Sequence, residues 1–174
     1  NKSVAVSNIA GLYLEMGDYD NASLYVDKAI QIAEEEKNVM IESACYHYAG
    51  IIERKKGHFD ASLEKLKKSL ELNKSTKEMI HEAEVLIDIH RTLNEKGEYS
   101  RSLKILFDAL KIAQRLNSEP LLLQVYDEMI PACEVLGKTE DALAYAKKRH
   151  DAVQTIEKTE RAQRLRGLDI QLEA

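Results

Sequence analysis

The sequence predicts an all-α array of stacked helical hairpins, and three observations carry that prediction. Glycine returns every forty residues, at Gly17, Gly57, Gly97 and Gly137. Each glycine closes one apolar run of helical period and opens the next, which is the mark of a repeat. The columns around the glycines also align. Five residues after them stand Ala22, Ser62, Ser102 and Ala142; nine after stand Val26, Leu66, Leu106 and Ala146; seven before stand Ala10, Gly50, His90 and Ile130. Finally, the chain has only two prolines and no alternating β-branched run, so no sheet is expected.

The physical logic of one unit is a helix, a tight turn and a second helix. A glycine in the left-handed region ends the first helix without the penalty of roughly 1–2 kcal/mol that a Cβ brings. Asp20, Asp60 and Ser100 are the expected N-caps of the second helices. The small residue five past the glycine lets the two helices approach. The aromatic two past it, Tyr19, Phe59 or Tyr99, fills the closed end, and Thr139 takes that place in the last unit. A single hairpin cannot bury its apolar face, so neighbours must stack.

Taken in order, residues 2–16 and 20–36 make the first unit, with Val4, Ile9, Tyr13 and Leu14 apolar on one helix. Leu24, Val26, Ala29, Ile30 and Ala33 form the inner side of the other. Glu34, Glu35 and Glu36 end it as a solvated acidic run. Residues 39–56 and 60–73 make the second unit, closed by a turn over Asn73, Lys74, Ser75 and Thr76. Residues 77–96 and 100–116 make the third. Asn117, Ser118, Glu119 and Pro120 break the chain, with Pro120 suited to a first helical turn. Residues 120–136 and 140–157 make the fourth, in which Pro131 removes a backbone bond to Asp127.

The domain boundaries follow. Units over about 1–37, 38–76, 77–117 and 118–157 form one repeat domain over 1–157, and 158–174 is a capping or linker helix. That tail is basic, with Lys158, Arg161, Arg164 and Arg166, and Leu165, Leu168 and Leu172 have heptad spacing. A homodimer through it is one expectation; a cap on the last hairpin is the other.

Charged residues make up 32% of the chain and the net charge is −5, which disfavours non-specific nucleic-acid binding. No run reaches the ~18–20 apolar residues of a membrane helix, so no membrane insertion is expected. Cys45 and Cys133 lie two units apart, too far for a disulfide. Two small buried thiols and the lack of a signal-peptide pattern fit a cytoplasmic location. Asn1 is not a natural start, and the expectation is a domain cut from a longer protein.

No catalytic chemistry is legible. The glycines are isolated turn residues, so no phosphate-cradling loop forms. There is no His-Glu-x-x-His, no Cys-x-x-Cys and no Gly-x-Ser-x-Gly. His81 and His90 are nine apart on one helix, too far to share a metal, and His90 takes a packing position. The expectation is no enzyme activity within these residues, with no cofactor and no metal.

The repeat word resembles the tetratricopeptide repeat (TPR) family over residues 2 to about 150. Ala10 with Tyr13, Tyr46 with Gly50, and the turn Gly17-Asp18-Tyr19-Asp20-Asn21-Ala22 carry the resemblance. The unit is about six residues longer than the usual 34. In that it is similar to the long repeats of bacterial signalling proteins, of Rap-type peptide receptors and of the LGN adaptor. Val6 and Leu86 stand where the family has an aromatic, and Ile130 with Pro131 makes the last unit the most divergent.

The resemblance implies a right-handed superhelical solenoid whose concave groove, lined by first helices, binds a protein or peptide. Carried over by position, the groove candidates of the first unit are Val4, Ser7, Asn8 and Gly11, and those of the second are His47, Tyr48, Ile51 and Arg54. The third gives Glu84, Ile87, Asp88 and Arg91, and the fourth Gln124, Asp127, Glu128 and Pro131. Chaperone-adaptor members hold a C-terminal carboxylate with a Lys, Asn and Arg clamp. At those positions this chain has Ser7, Gly11, Tyr48, Glu84 and Asp88, so no such binding is expected.

The tail resembles a second pattern. Ala142 to Lys148, then Glu160 to Ala174, look like the junction in bacterial proteins where such repeats precede a diguanylate cyclase, histidine kinase or adenylate cyclase. The implied function is a sensory or regulatory segment of a larger signalling protein. The alternative is a free-standing scaffold, adaptor or peptide receptor.

Overall fold

The computed structural model describes residues 2–172, and side chains as far as Arg166. Among the described residues there are eight helices and no strand: α1 (Lys2–Glu15), α2 (Tyr19–Glu35), α3 (Val39–Lys55), α4 (Phe59–Thr76), α5 (Met79–Glu95), α6 (Tyr99–Leu116), α7 (Glu119–Val135) and α8 (Thr139–Leu172). They pack in sequence as helix–turn–helix pairs, so the predicted all-α hairpin array is the fold. Two compact units result, Asn1–Ala109 and Leu110–Ala174.

The turns are more regular than the glycines alone announce. Gly17, Gly57, Gly97 and Gly137 have φ of 76°, 81°, 87° and 69°. Midway between them, Lys37, Lys77 and Asn117 have φ of 53°, 62° and 48°. The left-handed residue therefore recurs every twenty residues, and each closes the same pair of bonds. Gly57 N–H donates to Arg54 O at 2.9 Å and His58 N–H to Glu53 O at 2.9 Å. Lys77 N–H donates to Lys74 O at 3.3 Å and Glu78 N–H to Asn73 O at 3.0 Å. This double closure satisfies carbonyls that a helix end otherwise leaves bare.

That geometry corrects four expectations. The residue after the left-handed position is already the next N-cap, so Asp18, not Asp20, caps α2: its Oδ1 accepts from Asn21 N at 3.1 Å. His58, not Asp60, precedes α4, and Ser100 lies inside α6. Asp20 and Asp60 fall in the first helical turn, where negative charge suits the helix dipole. Asn73 to Thr76 belong to α4 rather than to a turn, because the chain reverses at Lys77. Glu36 is exposed but not merely solvated: its carboxylate accepts from Ser3 Oγ at 2.5 Å and from Lys2 N at 3.2 Å, closing the start of α1.

The core is a stripe of mostly small and aliphatic residues at i, i+4, i+7 and i+11 of α2, α4 and α6. It comprises Ala22, Val26, Ala29 and Ala33 in α2, and Ser62, Leu66, Ser69 and Asn73 in α4. In α6 it is Ser102, Leu106, Ala109 and Ala113, and every one of these twelve is at most 3% exposed. Leu24, expected inside, is 49% exposed, because two residues past Ala22 is about 200° around the helix. His90 is the predicted interior histidine, 2% exposed, with Nδ1 2.6 Å from Ser102 Oγ. Cys45 and Cys133 are both buried and free, and burial pushes both thiols up.

In the second unit, Leu121, Val125, Met129 and Cys133 of α7 are buried, and Tyr126 stacks on Tyr145 with ring centroids 6.0 Å apart. Helix α7 runs through Pro131 and α8 runs through residue 157 without a break. The side chains of Leu168 and Leu172, on which the heptad spacing rests, lie outside the described residues; Leu165 is 63% exposed.

Two substitutions test this packing by urea unfolding. Lys77→Gly removes left-handed strain and is expected to stabilise by about 0.5–1 kcal/mol. Gly50→Ala puts a Cβ 2.5 Å from Leu66 Cγ and is expected to cost about 1–3 kcal/mol. A neutral result at Gly50 contradicts the close approach of α3 and α4.

Candidate functional site

In the first unit α1 lies against α3, and α3 touches α5, so first helices form a continuous row. The structure places the predicted residues along it unequally. Asn8 is exposed on α1, while Ser7 is 4% exposed. The Tyr48 ring lies over Gly11 across the α1–α3 junction, where an added Cβ would sit in ordinary contact 3.5 Å from its Oη. His47, Tyr48 and Ile51 are half-buried, as is Glu84, and Arg91 is exposed. Ile87, Asp88 and Arg54 are 3%, 6% and 8% exposed, so they are walls and not open surface. Gln124 and Asp127 are exposed and Glu128 half-buried on α7, in the second unit, where Asp127 accepts from Arg149 Nε of α8; Pro131 is exposed there.

Four of the predicted residues meet in one charge network between α3 and α5. His47 Nε2 lies 2.8 Å from Asp88 Oδ2, and Arg54 Nη2 is 3.4 Å from Asp88 Oδ1. Arg91 Nη1 is 3.2 Å from the same oxygen. Arg54 Nη1 also donates to Glu95 Oε1 at 2.6 Å, while its Nε is buried with no hydrogen-bond partner among the described residues. Burial works to raise the Asp88 carboxyl. The His47 hydrogen bond and the charges of His47, Arg91 and Arg54 outweigh it and hold the group below the ordinary carboxylate range.

Beside the network is a cavity of about 290 Å³ in the first unit, between the N-terminal halves of α3 and α5 and the end of α4. Met40, Ile41, Ala44 and Tyr48 give it an apolar side. His47, Glu78, His81 and Glu84 give it polar ones, with His81 Nδ1 3.0 Å from Glu84 Oε2. Burial pushes the Tyr48 hydroxyl up, and Glu15 and Glu84 add to the shift. Ser43, Ser69 and Asn73 are buried against it, joined by Ser43 Oγ donating to Asn73 Oδ1 at 2.7 Å. The sequence reading found His47, Tyr48 and Glu84 here. Ser69 and Asn73 lie on a second helix and Glu78 caps the start of α5, so none stands at the groove positions that the resemblance supplies. A readable signal existed: Asn73 stands where the neighbouring repeats have Ala33 and Ala113.

Asp88 is the group that ties two arginines and a histidine to one place. Asp88→Asn leaves Arg54 buried and under-paired and is expected to cost about 3 kcal/mol at neutral pH. The folded-state pKa is depressed, so this contribution is complete above the unfolded value of about 4 and is lost as pH falls through the lower folded value. The stability gap between wild type and variant should be flat from about pH 5 to 7 and narrow below about pH 4. Urea titrations across that range measure it; a gap that widens on acidification contradicts the network.

A family model for the tetratricopeptide repeat matches residues 3–75, the first two hairpins. No curated protein matches the sequence significantly. Among solved structures, aspartyl phosphate phosphatase F from Bacillus subtilis aligns over 90% of this chain and 41% of its own, with TM-score 0.86 and 18% identity. A Rap protein complexed with competence and sporulation factor aligns over 88% of this chain and 44% of its own, at TM-score 0.80 and 14% identity. A signal transduction ATPase with numerous domains, carrying a tetratricopeptide repeat sensor, from Pyrococcus horikoshii, aligns over 92% and 25%, at TM-score 0.78 and 23% identity. The chain therefore spans less than half of each of these three proteins, and at such identities the likeness is one of fold. Residues 3–75 carry tetratricopeptide repeats, and the chain folds as a TPR-like array of helical hairpins.

Proposed function

We propose that this chain is a protein- or peptide-binding domain, and that it serves as the sensory or regulatory segment of a larger signalling protein. The observation that carries the binding reading is the cavity on the first-helix row. His47, Tyr48 and Glu84, chosen as groove positions from the sequence, line it together. A half-buried aromatic, apolar side chains and a few fixed polar groups are what a recognition pocket needs. The signalling reading is supported by the kind of protein that shares the fold: a Rap protein complexed with competence and sporulation factor, and a signal transduction ATPase with a repeat sensor. No catalytic motif stands in the sequence, and the proposal assigns the chain recognition rather than chemistry. Among the described residues no helix is long and apolar enough to cross a membrane.

The test is selection of binding peptides from a random library with the 174-residue protein. Selected peptides are expected to bind with Kd values near the micromolar range. Tyr48→Ala should weaken them by about tenfold, with helical circular dichroism unchanged. Lys67→Ala, on an exposed part of α4 away from the cavity, should leave them unaffected. Binding that ignores Tyr48 places the ligand elsewhere and removes the cavity from the proposal.

A further inference from the structure

The internal repeat provides its own control on the cavity. At the seventh and eleventh positions past the small residue, the second helices read Ala29 and Ala33 in α2, and Ala109 and Ala113 in α6. In α4 the same two positions are Ser69 and Asn73. The N-cap that follows is Asn38 before α3 and Ser118 before α7, but Glu78 before α5. Asn38 caps its helix, its Oδ1 accepting from Ile41 N at 3.3 Å. Glu78 makes no side-chain cap bond, as its residue type leads one to expect. The fold thus tolerates alanine and a short cap at these sites. Only the α4–α5 junction departs from them, and all three departures line one cavity.

Two of the three groups have unused bonding capacity. Asn73 is 3% exposed; its Oδ1 takes the Ser43 hydroxyl, and its amide N–H groups have no hydrogen-bond partner among the described residues. Glu78 is half-buried, and its carboxylate makes no ion pair or hydrogen bond among the described residues. Glu84 shares its charge with His81, and His47 is turned to Asp88. The free electrostatic capacity of the cavity is therefore negative, next to an apolar wall of Ile41, Ala44 and Tyr48.

We propose that this cavity is a subsite for one basic side chain, lysine or arginine, of a bound polypeptide. The aliphatic stem lies on the apolar wall, the cation meets Glu78 with Glu84 behind it, and the Asn73 amide donates to a carbonyl oxygen of the same ligand. A long cationic side chain suits this division, because its stem is apolar and only its tip is charged. A carboxylate side chain is excluded by the same charges. At about 290 Å³ the cavity is at the small end of ligand pockets, which fits one anchor residue and not a whole ligand. The inference rests on the polypeptide-binding reading above.

The experiment is an array of N-acetylated, C-amidated octapeptides of random sequence probed with the labelled 174-residue protein, alongside the same peptides left unacetylated. The expected result is one position enriched in lysine or arginine. Replacing that residue by norleucine should weaken binding by about tenfold, and Glu78→Gln should abolish the difference between the two peptides. Asn73→Ala, the residue that sister repeats carry, should keep the fold and weaken lysine and norleucine peptides alike. Binding without basic preference, or a lysine preference that survives Glu78→Gln, overturns the inference and leaves peptide binding standing. Binding confined to unacetylated peptides makes the occupant a terminal ammonium and overturns the side-chain assignment. If no peptide binds in either form, the peptide-binding reading falls and this inference with it.

Discussion

Everything in this chain depends on a left-handed residue every twenty positions. The helix ends there because the next N–H groups turn back to carbonyls of the last turn, and the following residue is at once the cap of the next helix. So short a link leaves no freedom in where the next helix begins. It sets every helix up to α7 at nearly the same length, and with it the register of the buried stripe at i, i+4, i+7 and i+11. Where glycine supplies the turn there is no strain; at Lys37, Lys77 and Asn117 the packing on either side must hold a conformation that the side chain disfavours.

Helix spacing is tuned within that frame by exchanging volume across one contact. Gly50 accepts Leu66 so closely that a methyl group would clash, whereas Ala10 faces the same stripe position occupied by Val26. His90 takes the packing position of Ala10 and Gly50 and reaches Ser102 rather than an apolar neighbour. Each unit thus solves the same packing problem with a different pair. The buried polar pairs follow the same logic: Ser62 Oγ lies 3.1 Å from Thr92 Oγ1, and Ser43 Oγ is bound to Asn73.

Most of the fold was legible because it depends on spacing. The glycine period and the small-residue column located all eight helices to within three residues at each boundary except the end of the last, and named the buried positions 22, 62, 102 and 142. What was not legible depends on atoms. The caps were placed two residues late because the sequence does not show that the left-handed residue and the cap are adjacent. The end of α4 was cut short because Asn73 and Ser75 read as turn residues, and nothing local reveals that the reversal waits for Lys77. For the site, family position gave His47, Tyr48 and Glu84, but it could not show that Arg54, Asp88 and Ile87 turn inward.

A departure from a repeat does not by itself mark function, since each unit has its own neighbours to satisfy. Ser62 and Ser102 also depart from Ala22 and Ala142, yet both find partners, Thr92 and His90, and their presence is explained by packing. Arg54 and Asp88 are polar and buried and answer one another across α3 and α5, with Arg54 Nε alone left without a hydrogen-bond partner among the described residues. Asn73 and Glu78 differ from these in one respect: they depart from the repeat where both line one cavity, and the Glu78 carboxylate there makes no ion pair among the described residues. Stability accounts for polar groups that are satisfied within the fold. The Glu78 carboxylate is not satisfied in that way, at a position where the same fold elsewhere has a short cap, and it is this charge on an apolar cavity that the proposed subsite accounts for.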